Sequence, residues 1–282
     1  MRSSVAAVIL TYNEESNLER CLKSIVGLAQ EIFVVDSYST DKTLDIAGKY
    51  KANISQRPFK NQADQFNWAL DNLDVKSDWI LRLDADEYLT PELKLEISQV
   101  ISGHQQESLP AVASQRRREH KSATAEVSGY YIKRRVYFLG RWMRHGGYYP
   151  AWFLRLWRKG AGRIEEREMD EHALLLRGKA AKLGNDFVDD NQNGLTAWMA
   201  KHNDYALREA SEVIKGSRGQ GGKRSFYYEL PPFFRAFAYF IYRYFFRLGF
   251  LDGKKGFVFH FLHGFWYRFL IDAKIYEKRA SK

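Results

Sequence analysis

Two aspartates stand two residues apart at the end of an apolar run, Trp79-Ile80-Leu81-Arg82-Leu83-Asp84-Ala85-Asp86-Glu87. Extended backbone through this stretch puts the carboxylates of Asp84 and Asp86 on one side. Carboxylates that close repel each other. A hard divalent cation, Mn2+ or Mg2+, relieves the repulsion by taking carboxylate and diphosphate oxygens together. The alternative is a solvated turn of acids at a strand end. Asp36 closes a second apolar run, Glu31 to Val35, and precedes Ser37, Ser39, Asp41 and Thr43. At a strand end its carboxylate suits an N–H or O–H of a base or ribose. Helix capping is the competing role, and it fits Asp41 better.

The elements that must position these groups are legible in the apolar periodicity. Val5 to Leu10 predicts a buried strand running into Thr11-Tyr12-Asn13-Glu14-Glu15. Glu14 to Leu28 predicts a helix, Glu31 to Val35 a strand, and Thr43 to Lys49 a helix. A short strand follows at Asn53 to Ser55, then a helix over Gln62 to Asn72 and a strand over Trp79 to Leu83. Strands alternating with helices predict an α/β fold with a parallel sheet covered on both faces. Ligands in such sheets bind at the carboxyl ends of the strands. The polar clusters 11–14, 36–41 and 84–87 fall at those ends.

Beyond residue 102 the pattern fails until about residue 128, which predicts an insertion over 102–128. Strands resume at Tyr130 to Phe138 and Ala151 to Trp157, with a turn at Gly146-Gly147. Leu195 to Val213 predicts a helix in which His202 reads as a packed histidine. The glycine-rich stretch 215–223 predicts a linker. The expected organisation is a catalytic domain over 1–214, this linker, and a helical region over 224–282.

Composition divides the chain in the same place. Of 43 aromatic residues, 20 lie between Phe226 and Phe269, and Lys223 to Lys282 carries 12 cations against 4 acids. Nearly all of the formal charge of +10 therefore belongs to the last fifth of the chain, away from the predicted domain. No nucleic-acid partner is expected, because that charge distribution lacks a basic folded surface. Cations interrupt every apolar run of spanning length, so the tail predicts a helix lying on an anionic membrane surface. A helical subdomain or a homo-oligomer interface is the alternative. The single cysteine, Cys21, reads as a buried thiol that permits a reducing compartment. No leader peptide is visible, so a cytoplasmic enzyme, peripheral at the inner face of the membrane, is expected. The first strand lacks the glycine fingerprint of a dinucleotide site, which excludes dehydrogenase chemistry of that type.

The stretches VILTYNEE (8–15), VVDSYSTDKT (34–43) and LRLDADEYL (81–89), in that order, resemble family 2 of the glycosyltransferases. The resemblance implies a GT-A fold, a nucleoside-diphosphate-sugar donor, usually a UDP-sugar, and an inverting reaction with a divalent metal. It places Thr11, Tyr12 and Glu14 in the nucleotide pocket, Asp36 at the base or ribose, Asp84 at the ribose or metal region, and Asp86 on the metal. It also requires a carboxylate base near the acceptor hydroxyl. Within the acidic run 163–172 the base is expected at Glu171, with Asp170 second, and His172 is expected to orient it or reach the metal. Segments 134–160, 186–206 and 249–257 resemble bacterial transferases of exopolysaccharide or lipopolysaccharide-core assembly. By that analogy His145, Gly146 and Gly147 lie near the acceptor, Arg155 lies near the phosphates, and the acceptor is a lipid-linked glycan. The alternatives are a polyprenyl-phosphate sugar synthase and an inactive assembly partner.

Overall fold

The computed structural model describes residues 3–103, 127–166, 172–215 and 227–280. The expected insertion over 102–128 and linker over 215–223 lie almost wholly outside them. By backbone contacts the chain divides into two units interleaved in sequence. The first is built from Met1–Lys133, Trp152–Glu166 and His172–Val188, the second from Arg134–Ala151 and Asp189–Lys282, over their described residues.

The first unit begins with strand β1 (Val5–Thr11), helix α1 (Leu18–Ile25), β2 (Glu31–Asp36), α2 (Thr43–Lys49), β3 (Asn53–Gln56), α3 (Gln62–Asn72) and β4 (Trp79–Asp84). The alternation expected from the sequence is present. β1 pairs in parallel with β2 and with β4, and β2 pairs in parallel with β3. The β1 run is apolar throughout because both faces are covered. Val5, Ala7 and Ile9 join one core with Leu18, Leu22 and Ile25 of α1, while Ala6 and Val8 join another with Phe66 and Ala69 of α3. At about 25 cal/mol per Å2, each buried Val, Ile, Leu or Phe among them contributes roughly 1.5–3 kcal/mol, the alanines less.

The remaining strands are β5 (Glu87–Leu89), β6 (Val127–Phe138), β7 (Arg141–Trp142), β8 (Ala151–Arg158), β9 (Gly162–Ile164), β10 (Ala173–Leu175) and β11 (Lys179–Asp189), with helix α4 (Pro91–Ile101) after β5. The main sheet runs β3-β2-β1-β4-β8-β6-β11-β5. β8 lies antiparallel to β4, so the sheet is mixed beyond its parallel half. α4 starts cleanly because Thr90 accepts the N–H of Leu93 and Pro91 occupies the first turn. This is the GT-A-type arrangement the resemblance implies.

Two local differences from the sequence reading matter. Helix α1 starts at Leu18 rather than Glu14: residues 15–17 form a turn, and the N–H groups of Glu14 and Glu15 donate to Thr43 Oγ1 and Asp41 Oδ2 of the neighbouring loop. The strand through Asp84 does not continue either: Ala85 and Asp86 form a turn before β5. Strand alternation therefore does not carry from Asp84 to Asp86.

In the second unit, α5 (Gly194–Ile214) is followed by α6 (Phe234–Ile241), a π-helical turn over Tyr242–Phe246, a 3-10 turn over Gly249–Asp252, α7 (Gly253–Phe259), a second π-helical turn over His260–Trp266, and α8 (Tyr267–Ala280). α5 and α8 pack through Ala206, Ala210, Tyr267, Ile271 and Ile275. A buried Arg235–Asp272 pair ties α6 to α8. Among the described residues no helix is long and apolar enough to cross a membrane.

Candidate active site

After β3 the chain returns to place β4 on the other side of β1. Such a reversal of strand order is where open α/β sheets bind ligands, outside the carboxyl ends of the strands. The register sets the three polar ends side by side: Thr11 opposite Asp36, and Leu10 opposite Asp84.

Asp36 is fully buried. Its Oδ1 accepts the hydroxyls of Thr11 at 3.0 Å and Ser39 at 2.5 Å. Its Oδ2 accepts the Ser39 N–H at 2.9 Å and the Gln56 amide at 3.0 Å. The carboxylate thus organises the ends of β1, β2 and β3 and the loop after β2. Asp41 does not occupy the cap of α2, which is Lys42 and makes no side-chain cap bond; it lies one residue earlier and accepts the N–H of Thr43 at 3.0 Å in a local turn. Burial raises its pKa, but hydrogen bonds from Thr43 and the Glu15 N–H outweigh that and hold it below its ordinary value. Asn13, at φ 53°, donates its N–H to Ser39 Oγ and accepts the N–H of Thr40 on its side chain. Glu14 accepts the Asn17 side-chain amide at 2.6 Å. The loops after β1 and β2 are therefore laced together, while the Tyr12 ring stands 60% exposed beside them.

Glu87 is the residue the sequence reading passed over. It is 2% exposed, accepts the Asp84 N–H at 2.9 Å, and pairs with Arg155 Nη2 at 2.5 Å. The same nitrogen lies 3.6 Å from Asp84 Oδ2, and Arg82 Nη2 lies 4.0 Å from Asp84 Oδ1. Arg155 lies over the Phe187 ring at 4.8 Å, and Arg82 over Phe66 at 5.4 Å. Two guanidinium groups thus lie beside Asp84, and Arg155, only 5% exposed, bonds Glu87 directly. Nothing in the local sequence marks Glu87 as different from a surface acid. Its partner on β8 is 68 residues away.

Asp86 sits half-buried in the turn between Asp84 and Glu87. Cys21 is buried as expected, its thiol pKa pushed well up first by burial and then by the nearby acids Glu87, Asp86 and Asp84. Among the described residues no three His, Cys, Asp or Glu side chains converge to hold a metal ion. The hard oxygens of Asp84 and Asp86 still suit Mg2+ or Mn2+. Such ions commonly take one or two protein carboxylates and complete their shell with substrate phosphates and water. His172 is exposed, and the base candidates Asp170 and Glu171 lie outside the described residues.

The acceptor candidates belong to the second unit. His145 Nδ1 lies 2.7 Å from Asp252, whose carboxylate also accepts the N–H groups of Arg144 and His145 at 3.3 and 3.0 Å. Gly146 donates its N–H to the Arg247 carbonyl at 2.8 Å. A Cβ at Gly146 would overlap the ring of His260, and its φ of +67° favours glycine. His202 is the packed histidine expected, stacked on Trp198 with ring centroids 3.5 Å apart.

The chain is 29% identical over 299 residues to the lipopolysaccharide core biosynthesis glycosyltransferase LpsC of Rhizobium meliloti (strain 1021), covering 99% of this chain and 94% of that protein. It is 37% identical over 107 residues to an uncharacterized glycosyltransferase of Rickettsia bellii (strain RML369-C), covering 38% of this chain. That match spans 36% of the Rickettsia protein's length. Among solved structures, S. aureus TarS aligns over 73% of this chain and 39% of its own, at 15% identity and a TM-score of 0.43. Glucosyl-3-phosphoglycerate synthase from Mycobacterium tuberculosis, in complex with Mg2+ and uridine-diphosphate, aligns over 36% of this chain and 40% of its own, at 21% identity and a TM-score of 0.30. Residues 6–149, which hold the laced loops and the Asp84–Glu87 turn, match the sequence profile of Glycosyl transferase family 2, and the chain belongs to that family.

Proposed function

We propose that this protein transfers a sugar, with inversion, from a nucleoside-diphosphate-sugar to a lipid-linked or membrane-bound glycan in bacterial surface polysaccharide synthesis. One observation carries the reading: Thr11, Asp36 and the Asp84–Asp86 turn converge at the carboxyl ends of β1, β2 and β4, at the reversal of strand order. Similarity to a lipopolysaccharide core transferase along nearly the whole chain supports the acceptor class.

In this reading the exposed Tyr12 ring and the Glu14 side chain border the nucleotide, with Asp36 fixing the loop that receives base and ribose. Asp84 and Asp86 would hold a divalent ion, Mn2+ or Mg2+, beside the donor, a nucleoside-diphosphate-sugar and usually a UDP-sugar. When bound, such an ion stabilises charge developing on the departing diphosphate. Arg155 and Arg82, at 3.6 and 4.0 Å from its two oxygens, hold the Asp84 carboxylate in position. Glu171, or Asp170 beside it, takes the proton of the acceptor hydroxyl as that oxygen attacks the anomeric carbon. His172 orients that base or reaches the ion, and His145, Gly146 and Gly147 serve the acceptor. The second unit meets an anionic membrane at the cytoplasmic face. Supporting this are its net basic tail and an open apolar groove of about 490 Å3 formed by Phe234, Phe237, Ala238, Ile241, Tyr242 and Phe246.

Thermal unfolding with UDP and other nucleoside diphosphates, with and without Mn2+, tests the donor site. Ligand at a hundredfold its Kd adds about 2.7 kcal/mol to the native state. The expected result is a rise in Tm that needs both diphosphate and metal and is abolished in Asp86→Ala. No shift with any nucleotide under any metal condition would overturn the reading.

A further inference from the structure

The second unit brings two arginines together, and among the described residues neither is ion-paired with an acid. The π-helical turn after α6 carries Arg243, and the residue that ends it, Arg247, donates its N–H back to the Tyr242 carbonyl at 2.9 Å. Both guanidinium groups reach the same glycine. A Cβ placed on Gly147 would lie 3.2 Å from Nε and Nη2 of Arg247 and 3.4 Å from Nη1 of Arg243. Nη1 of Arg243 and Nη2 of Arg247 are therefore no more than about 6.6 Å apart. Gly147 has a φ of +76°, so a side chain is disfavoured there on both counts.

Like charges held this close repel, and something must hold them. Arg243 is fixed by aromatic faces: its guanidinium lies 4.0 Å from the centre of the Tyr148 ring and 5.5 Å from that of Tyr239. The Tyr148 hydroxyl bonds His263 Nδ1 at 2.6 Å, which fixes the ring in turn. Arg243 Nε is buried and has no hydrogen-bond partner. Neither arginine forms an ion pair among the described residues. The carboxylate that borders this loop, Asp252, is already engaged by His145 and two backbone N–H groups.

We propose that Arg243 and Arg247, over Gly147, form a binding site for a phosphoryl group borne on a lipid. A phosphoryl group carries the charge and the several acceptor oxygens needed to bridge two guanidinium forks, each at charge-assisted hydrogen-bond distance. The lipid source follows from the neighbours. Tyr242, Phe245 and Phe246, in the same turn, are 49%, 51% and 76% exposed. Leu248, Phe250 and Leu251 just beyond are 43–49% exposed. Cations set among exposed aromatic and apolar side chains match the headgroup level of a membrane. The site deepens the membrane-acceptor reading but does not depend on the donor chemistry.

The test is flotation of the full chain with phosphatidylcholine vesicles doped with phosphatidic acid, or with phosphatidylserine at equal surface potential. The expected result is roughly tenfold tighter binding to the exposed phosphomonoester, which the double variant R243Q/R247Q loses. The pair K254Q/K255Q removes the same charge from the same unit and should keep the preference. R243K/R247K, which keeps charge and lacks the planar fork, should lose most of it, and its circular dichroism checks the fold. Inorganic phosphate alone supplies the other arm. If it raises the Tm of the wild type and not of R243Q/R247Q, while vesicles show no preference, the lipid source is wrong. Equal binding to both vesicle types together with no phosphate shift, or equal loss in both glutamine pairs, overturns the site. Asp86→Ala should retain the vesicle preference, so failure of this site and failure of the donor reading are distinguishable.

Discussion

Replacing Glu87 by alanine should unfold the active-site turn before it does anything else. Glu87 and the Arg155 side chain are 2% and 6% exposed and 2.5 Å apart. Glu87 also holds the Asp84 N–H at 2.9 Å. Alanine leaves the Arg155 guanidinium in a nearly dry site facing Asp84 at 3.6 Å and two phenylalanine rings. Breaking a buried pair by removing one partner costs about 3–5 kcal/mol. With a urea slope of about 3 kcal/mol/M, that lowers the unfolding midpoint by roughly 1–1.7 M. The double variant Glu87→Met with Arg155→Met removes both charges at similar volume and should recover part of that loss, while the Asp84 N–H and carboxylate still lose a partner each. Tryptophan fluorescence in urea reads all three proteins, with circular dichroism as a second probe of a single transition. A Glu87→Ala midpoint within about 0.3 M of wild type, or a double variant as unstable as the single, would refute the argument that this pair holds the turn.

Two further outcomes follow from packing and burial. Gly162→Ala would put a Cβ 2.7 Å from the fully buried Trp157 ring, itself packed edge-on against Phe66 at 5.9 Å; the unfolding midpoint should fall by about 1–3 kcal/mol equivalent. The second unit should weaken in mild acid. Burial pushes His202 and His260 down to about 4, and His263 well below its ordinary value. An unfolded histidine takes its proton near pH 6.5, so between about 6.5 and 4 the unfolded state binds more protons and stability rises with pH. The contribution is complete above about pH 6.5 and is lost as pH falls toward 4, at up to about 3 kcal/mol per histidine. Urea midpoints measured from pH 7.5 down to 5 should fall, and His202→Leu should flatten the slope.

How much of this was legible from residue order depends on the distance between partners. Strands β1 to β4 and helices α2 and α3 were readable because apolar periodicity is local. The acids at their ends were readable because a strand end is where a parallel sheet presents ligands. Glu87 and Gln56 were not. Each acts through a partner, Arg155 or Asp36, and the pairs Glu87–Arg155 and Gln56–Asp36 are made by chain crossings. Reading Asp84 and Asp86 as same-side residues assumed extended backbone, and the turn at Ala85–Asp86 breaks that assumption.

By itself the sequence determined that a parallel α/β sheet carries acids at three strand ends and that charge and aromatics gather in the last fifth of the chain. Those are properties of short windows. Only tertiary structure decided that β8 lies antiparallel to β4, that Arg155 locks Glu87 and Asp84, and that Arg243 and Arg247 meet over Gly147, about a hundred residues earlier in the chain. The physical reason is the same in each case. Burying a charge or crowding two of them is costly, and the group that offsets the cost is chosen by proximity in space, which local periodicity does not encode.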